Sequence, residues 1–241
     1  MKLYVIRYGK QFKYGTLGTV FCNAENPNEQ IEDFSFLYYL AEHNGAYLLF
    51  DTGFRDKKLA ENMGISLLNI NGEIQQVFGE MPRIKTIVLT HSHWDHINNI
   101  DLYPESEIIM ASKAYETAME SGTEAVKARL SKRINRGAVR LVEEECTIDE
   151  KFFFQVIGGH TSDSAVITFE NQGRVYCITG DECYTCENMR RNIPIGIASN
   201  HEKNSNFLSV ANARGWIPLP FHDVSVLSDY EQLTENISRI I

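Results

Sequence analysis

Apolar and polar residues alternate along many short stretches of this chain, with the two-residue period of strands that bury one face. A few stretches are almost wholly apolar and β-branched, which is typical of strands buried on both faces. The predicted strands cover residues 2–8, 34–40, 46–50, 84–90, 107–111, 138–142, 152–157, 165–169, 174–178 and 216–221. Asn44-Gly45, between the second and third strands, is a dipeptide that favours a tight hairpin.

Apolar residues recur at helical spacing in several of the stretches between these strands. The predicted helices lie within residues 56–80, at 112–121, at 123–135 and at 229–240. Strands that alternate with helices indicate an α/β fold. No linker, low-complexity tract or clear repeat interrupts the sequence, so residues 1–241 are expected to form one domain.

The strand at 84–90 ends in a concentration of side chains that bind metals. His91, His93, Asp95 and His96 follow it, and three of the seven histidines of the chain are among them. His91 and His93 point the same way on an extended backbone, whereas the next two residues lie on a turn and can face a second point. The cluster can therefore serve two metal ions, and imidazole with carboxylate suits zinc and similar ions.

Four other predicted strands also end in residues that can bind a metal. These residues are Asp51, His160, Asp181 and His222. A glycine directly precedes His160 and Asp181, where it allows a sharp turn or a close approach of the backbone to a ligand. A chance excess of histidine would not recur at one strand end after another, so the pattern indicates one shared site.

Composition makes some classes of function less favoured. The hydrophobic share of 43% is ordinary for a globular protein, and the net charge of −9 opposes binding to a nucleic-acid backbone. The first residues become polar too soon for a signal peptide, and no apolar run approaches the ~20 residues that span a membrane. Five scattered cysteines favour reduced thiols and a cytoplasmic location, and the Cys183-x-x-Cys186 spacing is interpreted as coincidence.

Taken together, these positions resemble the signature of the metallo-β-lactamase superfamily of hydrolases. The His-x-His-x-Asp-His motif is formed by His91, His93, Asp95 and His96, and the later positions match in order as His160, Asp181 and His222. The early Asp-Thr-Gly motif matches as Asp51-Thr52-Gly53. The resemblance covers nearly the whole chain and implies a four-layer αβ/βα sandwich, with two sheets face to face and helices outside.

The resemblance also implies a centre with two divalent metal ions, zinc in the first place, with manganese, iron or cobalt as alternatives. One ion would be bound by His91, His93 and His160, and the other by Asp95, His96 and His222. Asp181 would bridge the two ions together with a water or hydroxide. Asp51 would orient the loop that carries the first ligands.

Within the superfamily, the chain is similar to the N-acyl-homoserine lactone hydrolases. The similarity lies in Tyr184, three residues after Asp181, and in the run from there to His222. It implies that a bridging hydroxide opens a small-molecule lactone or related ester. Asp95 would pass the proton of the nucleophile to the leaving group, and Tyr184 would donate a hydrogen bond to the carbonyl oxygen. The alternative for Tyr184 is a residue merely packed near the site.

Two dipeptides depart from the family pattern. Asn98-Asn99 stands where Gly-Gly is usual, and Ser162-Asp163 stands where Pro-Gly is usual. Because Asn and Asp tolerate unusual backbone angles, a tight turn is expected at Asn98-Asn99 and the ligands should keep their places. The wall of the pocket, and with it the substrate, is expected to differ.

Other functions stay open at this point. A thioesterase resembling glyoxalase II is less favoured, because residues 223–241 are too few for the helical substrate-binding domain of those enzymes. A phosphodiesterase of the same fold is disfavoured by the acidity, and a metal-binding protein without catalysis by the full ligand set. The acyl-chain preference, the physiological metal and the oligomeric state, monomer or homodimer, are left undecided.

Overall fold

The computed structural model describes residues 1–11 and 15–241, and the strands of this part form two β-sheets. The strands are β1 (Lys2–Gln11), β2 (Phe34–His43), β3 (Ala46–Phe50), β4 (Ile65–Leu67), β5 (Ile84–Val88), β6 (Glu107–Ala111), β7 (Val139–Val142), β8 (Glu145–Ile148), β9 (Phe152–Val156), β10 (Ala165–Asn171), β11 (Arg174–Ile178), β12 (Ile217–Leu219), β13 (Glu231–Gln232) and β14 (Ile237–Arg239).

The helices flank these sheets. They are α1 (Leu17–Val20), α2 (Lys57–Met63), α3 (Asn71–Phe78), α4 (Trp94–Ile97), α5 (Ser112–Ser121), α6 (Glu124–Asn135), α7 (Cys186–Arg190), α8 (His201–Ala213) and α9 (Ser225–Ser228). Two short 3-10 turns lie at Ile100–Leu102 and Gly180–Glu182. Within the described ranges, none of these helices combines the length and the apolar character needed to cross a bilayer.

Strand order places several strand ends at one edge of the molecule. The larger sheet has the order β13-β14-β1-β2-β3-β5-β6-β7, with β4 also paired to β1, and the smaller sheet has the order β12-β11-β10-β9-β8. Strands β3, β5, β6 and β7 run parallel, so their carboxyl ends share one edge. In the smaller sheet, β11 and β12 are likewise parallel. Residues that follow these strands can therefore meet.

The two sheets pack face to face through aromatic and aliphatic side chains. Phe50 of β3 and Phe152 of β9 are fully buried, with ring centroids 5.1 Å apart. Tyr39 of β2 meets Phe221, just beyond β12, at the same separation. Two packed sheets flanked by helices confirm the predicted αβ/βα sandwich.

Most of the predicted elements are confirmed. Asn44 and Gly45, at φ of 49° and 72°, join β2 to β3 in the hairpin that their sequence favours. Helices α5 and α6 lie where helical spacing predicts them. The stretch at 56–80 forms α2 and α3, with the short strand β4 between them.

The predicted helix at 229–240 is wrong, because this segment forms β13 and β14. Strand β14 pairs antiparallel with β1, with Ile237 opposite Ile6. Ile237 and Ser238 are fully buried, and the Ser238 hydroxyl donates to the Leu227 carbonyl. Pairing with the open edge of β1 outweighs the helical spacing of the apolar residues.

Helix α8 has no counterpart among the predicted elements. Its buried face contains Asn204 beside Phe207 and Leu208, and the amide interrupts the apolar pattern that would have revealed the helix.

Candidate metal centre

Asp51 connects the ends of two neighbouring parallel strands. It follows β3 and adopts a left-handed φ of 58°, which is uncommon outside glycine. Its backbone N–H donates to the carbonyl of Val88 in β5. One carboxylate oxygen accepts the Thr90 N–H and the other accepts the Thr90 hydroxyl, both at 2.7 Å. The strained turn therefore places a buried carboxylate directly beneath the loop that begins at His91.

The same carboxylate holds a histidine of the next turn. His96, in α4, donates its Nδ1 proton to Asp51 Oδ2 at 2.6 Å, and both side chains are 1% exposed. This bond fixes the tautomer of the imidazole and turns its Nε2 atom away from Asp51. Thr52, the next residue, uses its hydroxyl to bind the carbonyl of His96 at 2.9 Å.

Seven side chains converge in two groups, which are His91, His93, His160 with Asp181, and Asp95, His96 with His222. In each group the potential ligand atoms lie within 4.8 Å of one another. The structure thus brings together all the residues that the sequence predicts as ligands. They come from the end of β5, from α4 and from the turns after β9, β11 and β12.

Asp181 lies between the two groups. Its Oδ2 atom is 3.7 Å from His91 Nε2 and 3.4 Å from His160 Nε2. Its Oδ1 atom is 3.3 Å from the Nε2 atoms of His96 and His222. One carboxylate therefore faces both groups, with a different oxygen toward each.

The outer nitrogens of the other histidines are also held. His160 Nδ1 donates to the carbonyl of Ile197 at 3.1 Å, and His222 Nδ1 donates to the carbonyl of Ser35 at 2.9 Å. In each ring the proton is thus on Nδ1, and the lone pair of Nε2 faces the centre. His93 has the opposite orientation, since its Nδ1 atom lies 3.0 Å from His160 Nε2.

Several atoms at the centre fit a metal and little else. His91 Nε2, His96 Nε2 and Asp181 Oδ1 are buried and find no hydrogen-bond partner among the described residues. Buried polar atoms without a partner are costly and need an explanation. Their lone pairs point into one small space between imidazoles and carboxylates, which is the donor set of zinc and related divalent ions. The residues present therefore fit metal binding.

The pKa shifts of His91, His93 and Asp181 agree with metal binding, whereas that of His96 opposes it. Burial lowers the pKa of His91 well below its ordinary value and lowers that of His93 as well, which favours the neutral form that a ligand needs. Burial acts in the same direction on His96, but the carboxylates around it, first Asp95, outweigh burial and raise its pKa well above the ordinary value. Burial opposes ionisation of Asp181, yet the nearby histidines hold its pKa well below the usual range.

An open cavity of about 290 Å³ leads to these atoms. Tyr184 and Trp94 line it, together with Phe34 from β2 and Ile197 from the segment before α8. The Tyr184 hydroxyl lies 3.4 Å from His160 Nδ1, and the side chain is almost buried. Tyr184 therefore stands beside the candidate centre, on the wall of the cavity that leads to it.

A second buried carboxylate, Glu182, was missed by sequence reasoning. Its Oε1 atom accepts the backbone N–H groups of Gly159 and His160 at 2.9 and 3.0 Å, and the Ser164 hydroxyl at 2.5 Å. Asn204 of α8 donates to Oε2 at 2.7 Å, which explains the buried asparagine in that helix. Only its position next to Asp181 could have drawn attention to it, because nothing in the sequence separates a buried glutamate from an exposed one.

Gly159 is required by this contact. A Cβ atom at this position would lie 2.3 Å from Glu182 Oε2 and 2.8 Å from Asn204 Cβ. The glycine before His160, which the sequence suggests for a close backbone approach, thus makes room for a carboxylate of the protein.

The tight turn expected at Asn98-Asn99 is present. It forms without unusual backbone angles, because both residues have negative φ, −68° and −101°. Asn99 instead uses its amide group to donate to the Thr52 carbonyl at 3.0 Å, so its side chain ties the end of α4 to the Asp51 turn. Cys183 and Cys186 are buried free thiols outside both ligand groups.

The family model described as the metallo-beta-lactamase superfamily matches residues 33–238. A search of curated proteins finds no match. Among solved structures, a probable metal-dependent hydrolase from Staphylococcus aureus has a TM-score of 0.75 at 16% identity, over 92% of this chain and 88% of its own.

Two lactonases are also similar in structure. A quorum-quenching N-acyl homoserine lactone lactonase has a TM-score of 0.77 at 19% identity, over 98% of this chain and 97% of its own. A dizinc quorum-quenching lactonase with a bound product has a TM-score of 0.68 at 14% identity, over 92% and 87%. At such identities the likeness shows a shared fold.

Proposed function

The chain belongs to the metallo-beta-lactamase superfamily, and on that premise we propose that it is a dinuclear metal-dependent hydrolase that opens a lactone or a related ester. The observation that carries the proposal is the position of Asp181, whose two oxygens face two separate groups of nitrogen atoms. A single site for one metal would not need a shared carboxylate between two sets of unpartnered atoms.

In this proposal each group would hold one divalent ion, zinc in the first place, with manganese, iron and cobalt as alternatives. His91, His93 and His160 would hold the first ion, Asp95, His96 and His222 would hold the second, and Asp181 would contribute to both. When bound, such a pair of ions supplies Lewis acidity toward a carbonyl oxygen and makes a nearby water more acidic.

Asp95 is the group of this chain that would move the proton. Its carboxylate lies at the cavity, 3.6 Å from His96 Nε2 and 3.7 Å from His222 Nε2. Its backbone carbonyl accepts the Tyr8 hydroxyl at 2.9 Å, which fixes the start of α4. We infer that Asp95 takes a proton from the attacking water and returns it to the alcohol oxygen that leaves.

Tyr184 would bind the substrate. Its hydroxyl is on the wall of the cavity beside His160, where it can donate to a carbonyl oxygen whose negative charge grows during attack. Phe34 and Trp94 give the same cavity an apolar lining, and the Phe34 ring lies 6.0 Å from that of Tyr184. The fold shared with two lactonases supports a cyclic ester as the substrate class.

We further propose that residues 1–241 form one domain in the cytoplasm, with a small-molecule ester and no nucleic acid as partner. One apolar core contains residues of both sheets, which supports a single domain. All five cysteines are free thiols, which suits a reducing compartment. The net charge of −9 supports the absence of a nucleic-acid partner.

The experiment is a substrate panel on metal-loaded and metal-stripped protein. Lactones, thioesters and phosphodiesters are compared by proton release, and metal content is measured in the same samples. We expect two equivalents of metal, with lactone turnover that is lost on stripping and restored by metal. Preferential turnover of thioesters or phosphodiesters would show a thioesterase or a phosphodiesterase instead of a lactonase. Two bound metals without turnover of any ester would favour a metal-binding protein without catalysis.

A further inference from the structure

A second cavity, of about 400 Å³, adjoins the one at the metal centre. It lies between α4, the connection from α5 to α6, and the segment at 161–163. His93 and Trp94 line both cavities, so the two spaces are neighbours. We call this space the hydroxyl cavity because serine and threonine side chains line it.

The lining of the hydroxyl cavity is rich in alcohol groups. Four serines and three threonines line it, together with the amide of Asn98, and Ile97 and Val126 supply an apolar floor. Hydroxyl and amide groups both donate and accept hydrogen bonds. Among the described residues that line it there is no lysine or arginine, which disfavours a phosphate or another anionic group as the occupant.

Asp163 is the one carboxylate in this lining, and it is 1% exposed. Its Oδ2 atom accepts the backbone N–H of Ser92 at 3.1 Å. Its Oδ1 atom receives no hydrogen bond from the described part of the chain, although it is not sealed from the cavity. A carboxylate oxygen with so little access to solvent needs donors, and a ligand in the cavity can supply them.

The side chains that make this cavity polar come from two separate segments. Asn98 follows α4, whereas Ser162 and Asp163 follow His160. These are the two places where the chain departs from the Gly-Gly and Pro-Gly pattern of the family it resembles. Glycine and proline offer no side-chain hydrogen bonds, so both departures add polar groups to one wall.

We propose that the hydroxyl cavity binds a polyhydroxylated part of the substrate, as in a sugar-type lactone, and that Asp163 determines this specificity. The proposal rests on the lactone-opening function inferred above and narrows its substrate class. Vicinal hydroxyls would donate to Asp163 Oδ1 and exchange hydrogen bonds with the serines and threonines. An alkyl chain in the same place would leave the carboxylate oxygen unpaired, which costs affinity.

The test measures binding rather than turnover, so that it is independent of the reaction. Gluconate and hexanoate are matched probes, because both are six-carbon carboxylates and only gluconate carries hydroxyls. Calorimetry on the metal-loaded protein should show that gluconate binds about tenfold or more tightly than hexanoate, as expected for hydrogen bonds to a charged group. Metal content is measured before and after each titration, since gluconate can chelate metals.

The variant that decides is Asp163→Asn. An amide oxygen can still accept from Ser92, but the cavity loses a charged acceptor and keeps only weaker, neutral hydrogen bonds to hydroxyls. The preference for gluconate should therefore fall clearly, while hexanoate binding and metal content stay unchanged. Ser162→Ala should weaken gluconate binding by a smaller factor, and Asp229→Asn, on an exposed residue outside the cavity, should change nothing.

Two outcomes would overturn the proposal. One is wild-type protein that binds hexanoate as tightly as gluconate. The other is an Asp163→Asn variant that loses affinity for both probes equally, which would make Asp163 only a support for the Ser92 loop. If gluconate is preferred but no lactone is opened, the cavity assignment stands and the proposed reaction fails.

Discussion

Two buried carboxylates support the two halves of the candidate centre, and they do so through different contacts. Asp51 supports the group that contains His96, where its carboxylate binds the imidazole ring directly. Glu182 supports the group that contains His160, where it binds the backbone of Gly159 and His160 and, among the described residues, no imidazole. Both side chains are essentially inaccessible to solvent.

The difference separates two ways in which a protein can tune a ligand. A carboxylate on an imidazole nitrogen changes the basicity of the ring as well as its orientation. A carboxylate on backbone amides changes only where the ligand is placed. We therefore infer that Asp51 controls the chemistry of His96, whereas Glu182 controls the position of His160. Asp181, which faces both halves, should depend on both.

The largest effect is expected when the group shared by the two halves is removed. Asp181→Ala should abolish metal binding in both groups and essentially all hydrolysis. Each group would lose the one negatively charged ligand that the two groups share. Metal content by elemental analysis and proton release on the best lactone check this. Full retention of one metal would mean that the two halves bind independently.

Tyr184→Phe tests whether the Glu182 half also supplies a group that touches the substrate. Both metals should remain, and turnover should fall about 100-fold if the hydroxyl donates in the transition state. A matched variant is Tyr47→Phe, which alters a tyrosine of β3 that lines neither this cavity nor the hydroxyl cavity. Unchanged turnover in Tyr184→Phe would remove the residue from the mechanism.

Asp51→Asn should lower metal affinity by roughly 10- to 100-fold, as is usual when the carboxylate partner of a ligating histidine is lost. Asp51 is among the carboxylates that raise the pKa of His96, so its neutralisation should lower that pKa. A weaker base loses its proton at lower pH, and the midpoint of metal uptake should therefore move to lower pH. Chelator competition across a range of pH measures both effects.

An unchanged pH midpoint in Asp51→Asn would break the comparison. The carboxylate would then act on His96 only by position, as Glu182 is inferred to act on His160. Asp229→Asn, a change at an exposed acid, serves as the matched control for the loss of one negative charge.

These two carboxylates also show how far the sequence alone reaches. Asp51 could be predicted because it stands at the end of an apolar strand, two residues before Gly53, and the ends of parallel strands meet at one edge. The same reasoning finds all the ligand-group residues, whereas the sandwich fold is what the family resemblance implies. Those residues are mostly histidines and aspartates, and they come directly after strands that the apolar pattern predicts clearly.

Glu182 and Asn204 could not be predicted in this way. Their side chains meet only because α8 packs beside the turn after β11, and neither residue type indicates burial. Strand β14 was not predicted for a related reason, because it pairs with β1, which is more than 200 residues away in sequence. Contacts that depend on the packing of distant segments leave little trace in local pattern.

Glu182→Gln should have the smallest effect and should act on one half alone. The amide oxygen can still accept the N–H groups of Gly159 and His160, but the charge that strengthens those bonds is lost and the amide nitrogen faces the donating amide of Asn204. Metal affinity should fall by about fivefold, equivalent to roughly 1 kcal/mol, and chiefly at the group that contains His160. The pH midpoint of metal uptake should not move, because no imidazole contacts this carboxylate.

Stepwise titration with cobalt, followed by its absorption spectrum, resolves the two positions. His201→Ala, at the exposed start of α8, is the control. Equal loss at both positions would show that the support extends through Asp181, and the division of the centre into two halves would then fail.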